Sequence, residues 1–209
     1  LTQGFSIQLS QYYGAKDFEN LRKSLAHSYR LTAFIAEGVF ILSQSFASLV
    51  LTGLHTPSNI IGMSLLYLRI IFCGIPATAA YNMFASALRA MGNSKTPLTA
   101  MIIASVLNVS LDILFVAGFG WGVAGAAIAT VIAQSFSAVY CFLILRRIDI
   151  VHLTRADFMP ASGMNARLMK LGIPVVFQNI IIGVGGLVVQ YVINGYGFLF
   201  VAGFTATNK

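Results

Sequence analysis

Pro97-Leu98-Thr99-Ala100-Met101-Ile102-Ile103-Ala104-Ser105-Val106-Leu107-Asn108-Val109-Ser110-Leu111-Asp112-Ile113-Leu114-Phe115-Val116-Ala117-Gly118-Phe119 carries a single charged side chain, Asp112. The run is longer than the ~20 residues a helix needs to cross a bilayer. Thr96-Pro97 ahead of it reads as a helix start, with Thr as N-cap and Pro at the first helical position. Four more runs share this character: Leu31–Leu54, Leu66–Leu88, Gly122–Leu145 and Leu171–Ile193. A partial span, Leu1–Tyr13, precedes them, and another begins at Phe198. Pro76 falls inside the second run and predicts a kink, because it removes a backbone donor there. Gly195-Tyr196-Gly197 predicts a tight turn. The expected fold class is all-α, a polytopic membrane helix bundle.

Composition supports the same reading. Of the 209 residues, 57% are hydrophobic and 9% charged, and the mean hydropathy is +0.82. Soluble domains carry about 25% charged residues, and disordered chains are poor in apolar side chains. Neither class fits. A net charge of +7 does not indicate nucleic acid, since the basic residues sit between apolar runs rather than on one face. Cys73 and Cys141 lie in apolar runs without CxxC spacing, so both read as buried small hydrophobes. The chain opens on Leu1 without a visible signal peptide, and is read as an internal piece of a longer protein.

The loops set an orientation. Lys16, Arg22, Lys23 and Arg30 fall in the first connection, Arg89 and Lys95 in the third, and Arg146, Arg147, Arg155, Arg167 and Lys170 in the fifth. The alternate connections, His55–Ile61, Gly120–Gly122 and Asn194–Gly197, carry no Lys or Arg. The positive-inside rule places the charged loops in the cytoplasm of a multi-pass cell-membrane protein. Arg69 is the exception, near the outer end of its span, where a long side chain snorkels to the interface. The segment 146–170, with Pro160, reads as a linker between two bundles.

Gly120-Trp121-Gly122-Val123-Ala124-Gly125 spells the dinucleotide fingerprint, yet it follows a membrane run and lacks the acidic residue expected about 20 positions on. A tight turn followed by small-residue helix packing accounts for the same glycines. Asn108-Val109-Ser110 is a glycosylation sequon by spelling only, at membrane depth. His27, His55 and His152 occupy three different connections, without metal-ligand spacing, and read as solvated loop residues.

Asp112 is the informative residue. A carboxylate at a helix centre costs roughly 2.5–3.5 kcal/mol on insertion scales and marks pairing or function. Ser105, Asn108 and Asp112 recur at spacings of three and four, on one helix face. Thr130, Gln134, Ser137 and Cys141 form a matching stripe on the next helix. Counting outward from Trp121, Asp112 is level with Thr130, Asn108 with Gln134, and Ser105 with Ser137. The two stripes read either as the lining of one polar pocket or as helix-to-helix hydrogen bonding. Asn82, Met101, Gln178, Asn179 and Gln190 are the other polar or soft side chains at membrane depth, candidates for a substrate path. Glu37, about two turns inside its span, reads as a snorkelling or locally paired acid.

Several of these stretches resemble one family. Ala87-Leu88-Arg89-Ala90-Met91-Gly92-Asn93-Ser94-Lys95-Thr96-Pro97-Leu98 resembles a cytoplasmic turn of the multidrug and toxic compound extrusion (MATE) family, and Asn108-Val109-Ser110-Leu111-Asp112 and Gly122–Thr130 resemble its fifth and sixth helices. Gln11–Asp17 is similar to its link from helix two to helix three, and Gly172-Ile173-Pro174 and Ile193–Gly197 to the two ends of its helix seven. The resemblance implies a two-lobe, twelve-helix transporter that exports amphipathic, often cationic compounds in exchange for protons or sodium. It assigns residues 1–145 to the first lobe, 146–170 to a cytoplasmic linker and 171–209 to the start of the second lobe. It also implies a cation site at Asn108, Asp112 and Thr130, completed in many members by an acid on a first helix that this chain does not include. No cofactor is implied beyond the coupling ion, with possible Na+ at Asp112. The expected partners are the bilayer, small amphipathic molecules and the remaining helices of the protein, with no nucleic acid.

Three other functions fit the sequence less well. A lipid-linked precursor flippase of the same superfamily would need cationic side chains in its lumen, and the spans offer only Arg69. A membrane-embedded enzyme would need a clustered catalytic pair, and the spans hold no His and no neighbouring acids. A passive scaffold would leave Asp112 without a role. The orientation is open to direct test in the full-length protein. Cysteines placed at Ser24 and Ser162 are expected to be shielded from an impermeant thiol reagent in intact cells, and one at Ser58 to be labelled. The reverse pattern overturns the orientation.

Overall fold

The structure, a computed structural model, describes residues 1–53, 60–159 and 163–194. His55, Ser58, Pro160, Ser162, the Gly195-Tyr196-Gly197 turn and the span expected from Phe198 lie outside the described residues, as does the side chain of Gln190. Seven α-helices organise the rest: α1 (Thr2–Gly14), α2 (Phe18–Gly53), α3 (Ile61–Cys73), α4 (Ile75–Ala90), α5 (Lys95–Asp112), α6 (Gly122–Arg146) and α7 (Met164–Asn194). A π-helical turn, Ile113–Gly118, continues α5, and two 3-10 turns, Asp149–Val151 and Arg155–Phe158, lie between α6 and α7. No strand occurs among the described residues. Five stretches are long and apolar enough to cross a membrane: Phe18–Thr52, Ile61–Ala90, Lys95–Gly118, Gly122–Arg146 and Met164–Gly186. Helices are what such sequences must form in lipid, where no water satisfies an open backbone group.

The first span begins earlier than the apolar run. α2 has 36 residues, about 54 Å at 1.5 Å per residue, against a hydrocarbon core of about 30 Å. Its first turns, expected as a connection, are helix and carry Arg22, Lys23 and Arg30. Asp17 caps this end: the Asn20 N–H donates to Asp17 Oδ1 at 3.1 Å and Asn20 Nδ2 to Oδ2 at 2.7 Å. These bonds hold the Asp17 carboxyl below the usual carboxylate range. Lys23 pairs with Glu19 one turn back at 2.6 Å.

His27 is not a solvated loop residue. It lies in α2 at 1% exposure, with Nδ1 2.8 Å from Asn165 Oδ1 and Nε2 3.1 Å from the Met159 carbonyl. Arg30 donates to the Phe158 carbonyl at 3.0 Å, and Arg22 stands 3.9 Å from Asp157, which also closes a capping box with Thr154. The stretch after α6 is thereby tied to the protruding end of α2. Only the length of α2 could have revealed this, because the partners lie more than 130 positions away in sequence. His152 is exposed, 3.8 Å from Asp149. α7 starts at Met164, ahead of the expected Leu171, so Arg167 and Lys170 belong to a helix. Ser24 is fully buried, so an exposed position such as Ala15 is the better labelling site.

The second span, Ile61–Ala90, is interrupted where Pro76 predicts a kink. α3 ends at Cys73 and α4 starts at Ile75, with Gly74 between and Pro76 in the first turn of α4. Here the missing Pro76 donor falls where an N-terminal N–H lacks an intrahelical partner anyway. A Cβ on Gly74 would come within 3.1 Å of Val131 Cγ2, so the break also brings this helix against α6. The start of α5 differs from expectation too: Ser94, not Thr96, occupies the cap position without a side-chain bond, and Asn93 Oδ1 accepts the Thr96 N–H at 3.1 Å. Cys141 is buried, but Cys73 is exposed, facing Gln44 Nε2 at 3.4 Å. Its apolar run faces outward in this part of the bundle.

Complete burial concentrates at the charged-loop end, where Phe5, Leu9, Leu21, Leu25, Leu88, Leu145 and Leu168 form one cluster. α1 and α7 meet through glycines: a Cβ on Gly4 would lie 2.5 Å from Gly172 Cα. Replacing His27 with Ala removes two hydrogen bonds, each worth about 1 kcal/mol. Thermal unfolding of the detergent-solubilised protein is expected to show a loss of about 2 kcal/mol, with faster proteolysis between residues 150 and 165.

Candidate functional site

The hairpin of α5 and α6 is built around its turn. Gly120 and Gly122 have φ of 69° and 53°, values that favour glycine. The π-helical turn ends with the Phe119 N–H on the Leu114 carbonyl at 2.9 Å, and the Trp121 N–H reaches the Phe115 carbonyl at 2.9 Å. Phe115 stacks on Trp121 at 5.1 Å between centroids. A Cβ on Gly125 would come within 2.9 Å of Phe115 Cβ and 3.1 Å of Trp121 Cβ. The glycines of the apparent nucleotide fingerprint therefore serve a tight turn and close helix contact.

Above this turn the polar stripes of the two helices face one cavity of about 220 Å³. Ser105, Asn108 and Met101 line it from α5, and Thr130, Gln134 and Ser137 from α6. Tyr81 of α4 closes it, with its hydroxyl 3.3 Å from the Pro97 carbonyl. Tyr81 is not among the residues expected from the sequence, where its one signal is a phenol next to Asn82 at membrane depth.

The register differs from the expected one. Asn108 Nδ2 donates to Thr130 Oγ1 at 3.4 Å, and Thr130 donates its own proton to the Ala126 carbonyl at 2.9 Å. Asn108, not Asp112, is thus level with Thr130, a pairing equidistant from residue 119 rather than 121. The π-helical turn shifts the register in this direction, since it fits more residues into each turn and a shorter rise. Asp112 closes α5 one turn beyond Asn108 on the same face. Its Oδ1 is buried without a hydrogen-bond partner among the described residues.

The other candidates disperse. Asn82 bonds the Thr78 carbonyl and Asn179 the Val175 carbonyl, each within its own helix, and Gln178 is exposed on α7. None of the three lines the α5–α6 cavity. Cys141 continues the α6 stripe but is packed in the core. Among the described residues no three His, Cys, Asp or Glu side chains gather as a metal site. What the structure brings together is the Asn108 amide and the Thr130 hydroxyl; the Asp112 carboxylate lies one turn along α5 and does not line the cavity.

The MatE family model matches residues 1–114. The chain belongs to the MATE family. Among curated relatives, the probable multidrug resistance protein YpnP of Bacillus subtilis (strain 168) is 33% identical over 96% of this chain and 45% of its own length. The multidrug export protein MepA of Staphylococcus aureus (strain NCTC 8325 / PS 47) is 24% identical over the same shares. A crystal structure of MATE in the bent conformation aligns with a TM-score of 0.89 at 23% identity, over 98% of this chain and 46% of that one. An outward-facing MATE transporter of the MOP superfamily aligns at 0.84 and 22% identity, over 92% and 43%. These likenesses fix the MATE fold. The chain spans a little under half the length of the curated relatives it matches, and it is a multi-pass membrane protein.

Gly125→Ala tests the hairpin. Forcing a methyl against Phe115 is expected to cost about 1–3 kcal/mol, read as a lower unfolding temperature in detergent.

Proposed function

We propose that the protein carrying this chain is an efflux transporter rather than an enzyme, a cation-coupled antiporter that exports amphipathic, often cationic compounds by alternating access. The observation that carries this reading is the buried, unpartnered oxygen of Asp112 one turn from the Asn108–Thr130 contact. In this reading residues 1–145 and 171–209 belong to two lobes joined through 146–170, with the charged loops cytoplasmic. The contact of Gly4 with Gly172 is one of the surfaces across which the lobes meet.

Antiport follows from competition at one carboxylate. An ionised Asp112 in a low-dielectric bundle needs a counter-charge. A proton, a sodium ion or a cationic substrate can each supply it, and binding one disfavours the others. Asn108 and Thr130 orient the carboxylate or ligate the ion. Gln134 and Met101 line the adjoining cavity where the apolar part of a substrate would rest, and the soft Met101 thioether accepts varied shapes.

The test is transport in proteoliposomes made with the longer chain. Asp112→Asn keeps the shape but neither carries charge nor releases a proton, so ion-gradient-driven efflux is expected to be abolished with thermal stability nearly intact. Thr130→Ala removes one neutral ligand and is expected to weaken coupling less. Wild-type transport by Asp112→Asn, with unchanged dependence on either the proton or the sodium gradient, overturns the assignment.

A further inference from the structure

We propose a second site, for a small organic monocation, in a cavity of about 330 Å³ that α2, α4 and α6 form and that Glu37 helps to line. It shares no lining residue with the α5–α6 cavity and uses a different face of α4. Glu37 is the other acid within the apolar runs, and the transport mechanism above leaves it without a role. Glu37 is exposed, and among the described residues it makes no hydrogen bond or ion pair. A membrane-depth carboxylate without a partner is costly, and a bound cation removes that cost.

The walls suit the body of such a ligand. Tyr29 meets Phe84 edge to face at 5.5 Å between centroids, and Phe84 meets Phe142 at 5.3 Å. All three rings line the cavity, and an aromatic ring attracts a cation placed over its face. Met83, 1% exposed, lies at the same wall and adapts to ligand shape. Thr32 lines the cavity at 8% exposure, and its Oγ1 has no partner in the described structure, which leaves one polar group for a ligand. No Lys or Arg lines the cavity, so an anion has nothing to bind. The volume falls at the lower end of the ~300–1,000 Å³ typical of small-molecule sites. A single aromatic ring bearing a quaternary ammonium matches both the size and the charge.

The probe is benzyltrimethylammonium, titrated calorimetrically into the longer chain in nanodiscs of a zwitterionic lipid. An Asp112→Asn background removes the carboxylate of the first site. Binding is expected to persist there, to weaken roughly tenfold or more when Glu37→Gln is added, and to weaken severalfold with Phe84→Leu. Glu37→Asp, which keeps the charge, should restore most of the affinity and serves as the control for folding. Neopentylbenzene, the neutral isostere, should bind at least tenfold more weakly than the cation. Unchanged affinity in Glu37→Gln overturns the site, as does equal affinity for neopentylbenzene, which would mark an apolar groove for lipid chains. Loss of all binding in Asp112→Asn also overturns it, showing the groove filled by other parts of the protein. The antiport reading stands or falls separately, on gradient-driven efflux by Asp112→Asn.

Discussion

An apolar side chain in a bilayer gains little by exchanging lipid for another helix, so contact at membrane depth rests on close backbone approach and polar pairs. This constraint explains where the helices touch. Gly4 meets Gly172, Gly74 lies against Val131, and Gly125 fits under Phe115, each at a distance that forbids a further carbon without movement. Most large apolar side chains at that depth stay exposed, Phe34 and Ile181 among them, as lipid-facing residues do. At the charged-loop end water returns and the hydrophobic effect with it. There Leu21, Leu25, Leu88, Leu145 and Leu168 are completely buried, and His27 is held among them by its two hydrogen bonds.

The same constraint leaves room for chemistry. A bundle held by a few close contacts need not fill every gap, and polar side chains then line the spaces that remain. α4 serves as a partition. Its Tyr81 closes the α5–α6 cavity, while Met83 and Phe84 wall the one at Glu37. The break at Gly74 and Pro76 sets how α4 lies against α6, so one local interruption shapes both spaces.

Much of the site was legible because a charge in an apolar run is conspicuous. Asp112 stood out on cost alone, and the three- and four-residue spacing placed Asn108 on its face. Ser105, Asn108, Thr130, Gln134 and Ser137 of the two stripes do line one cavity, while Asp112 and Cys141 do not. The pairing within it was not legible, since the π-helical turn at Ile113–Gly118 alters the count and carries no simple composition signal. His27 was not legible for a related reason: its partners, Asn165 and the Met159 carbonyl, lie far along the chain.

The sequence by itself determined the all-α class, the five spans and the family, because run length, hydropathy and motif order are properties of consecutive residues. Expectations that depended on where a helix truly begins shifted: α2 and α7 reach beyond their apolar runs, since polar residues also propagate a helix once it stands in water. Only the tertiary structure decided that Asn108 meets Thr130, that Tyr81 joins them, and that Thr32 and three aromatic rings line one cavity with Glu37. Those facts depend on the rotation and depth of one helix against another. They are set by glycine contacts between helices that no single segment encodes.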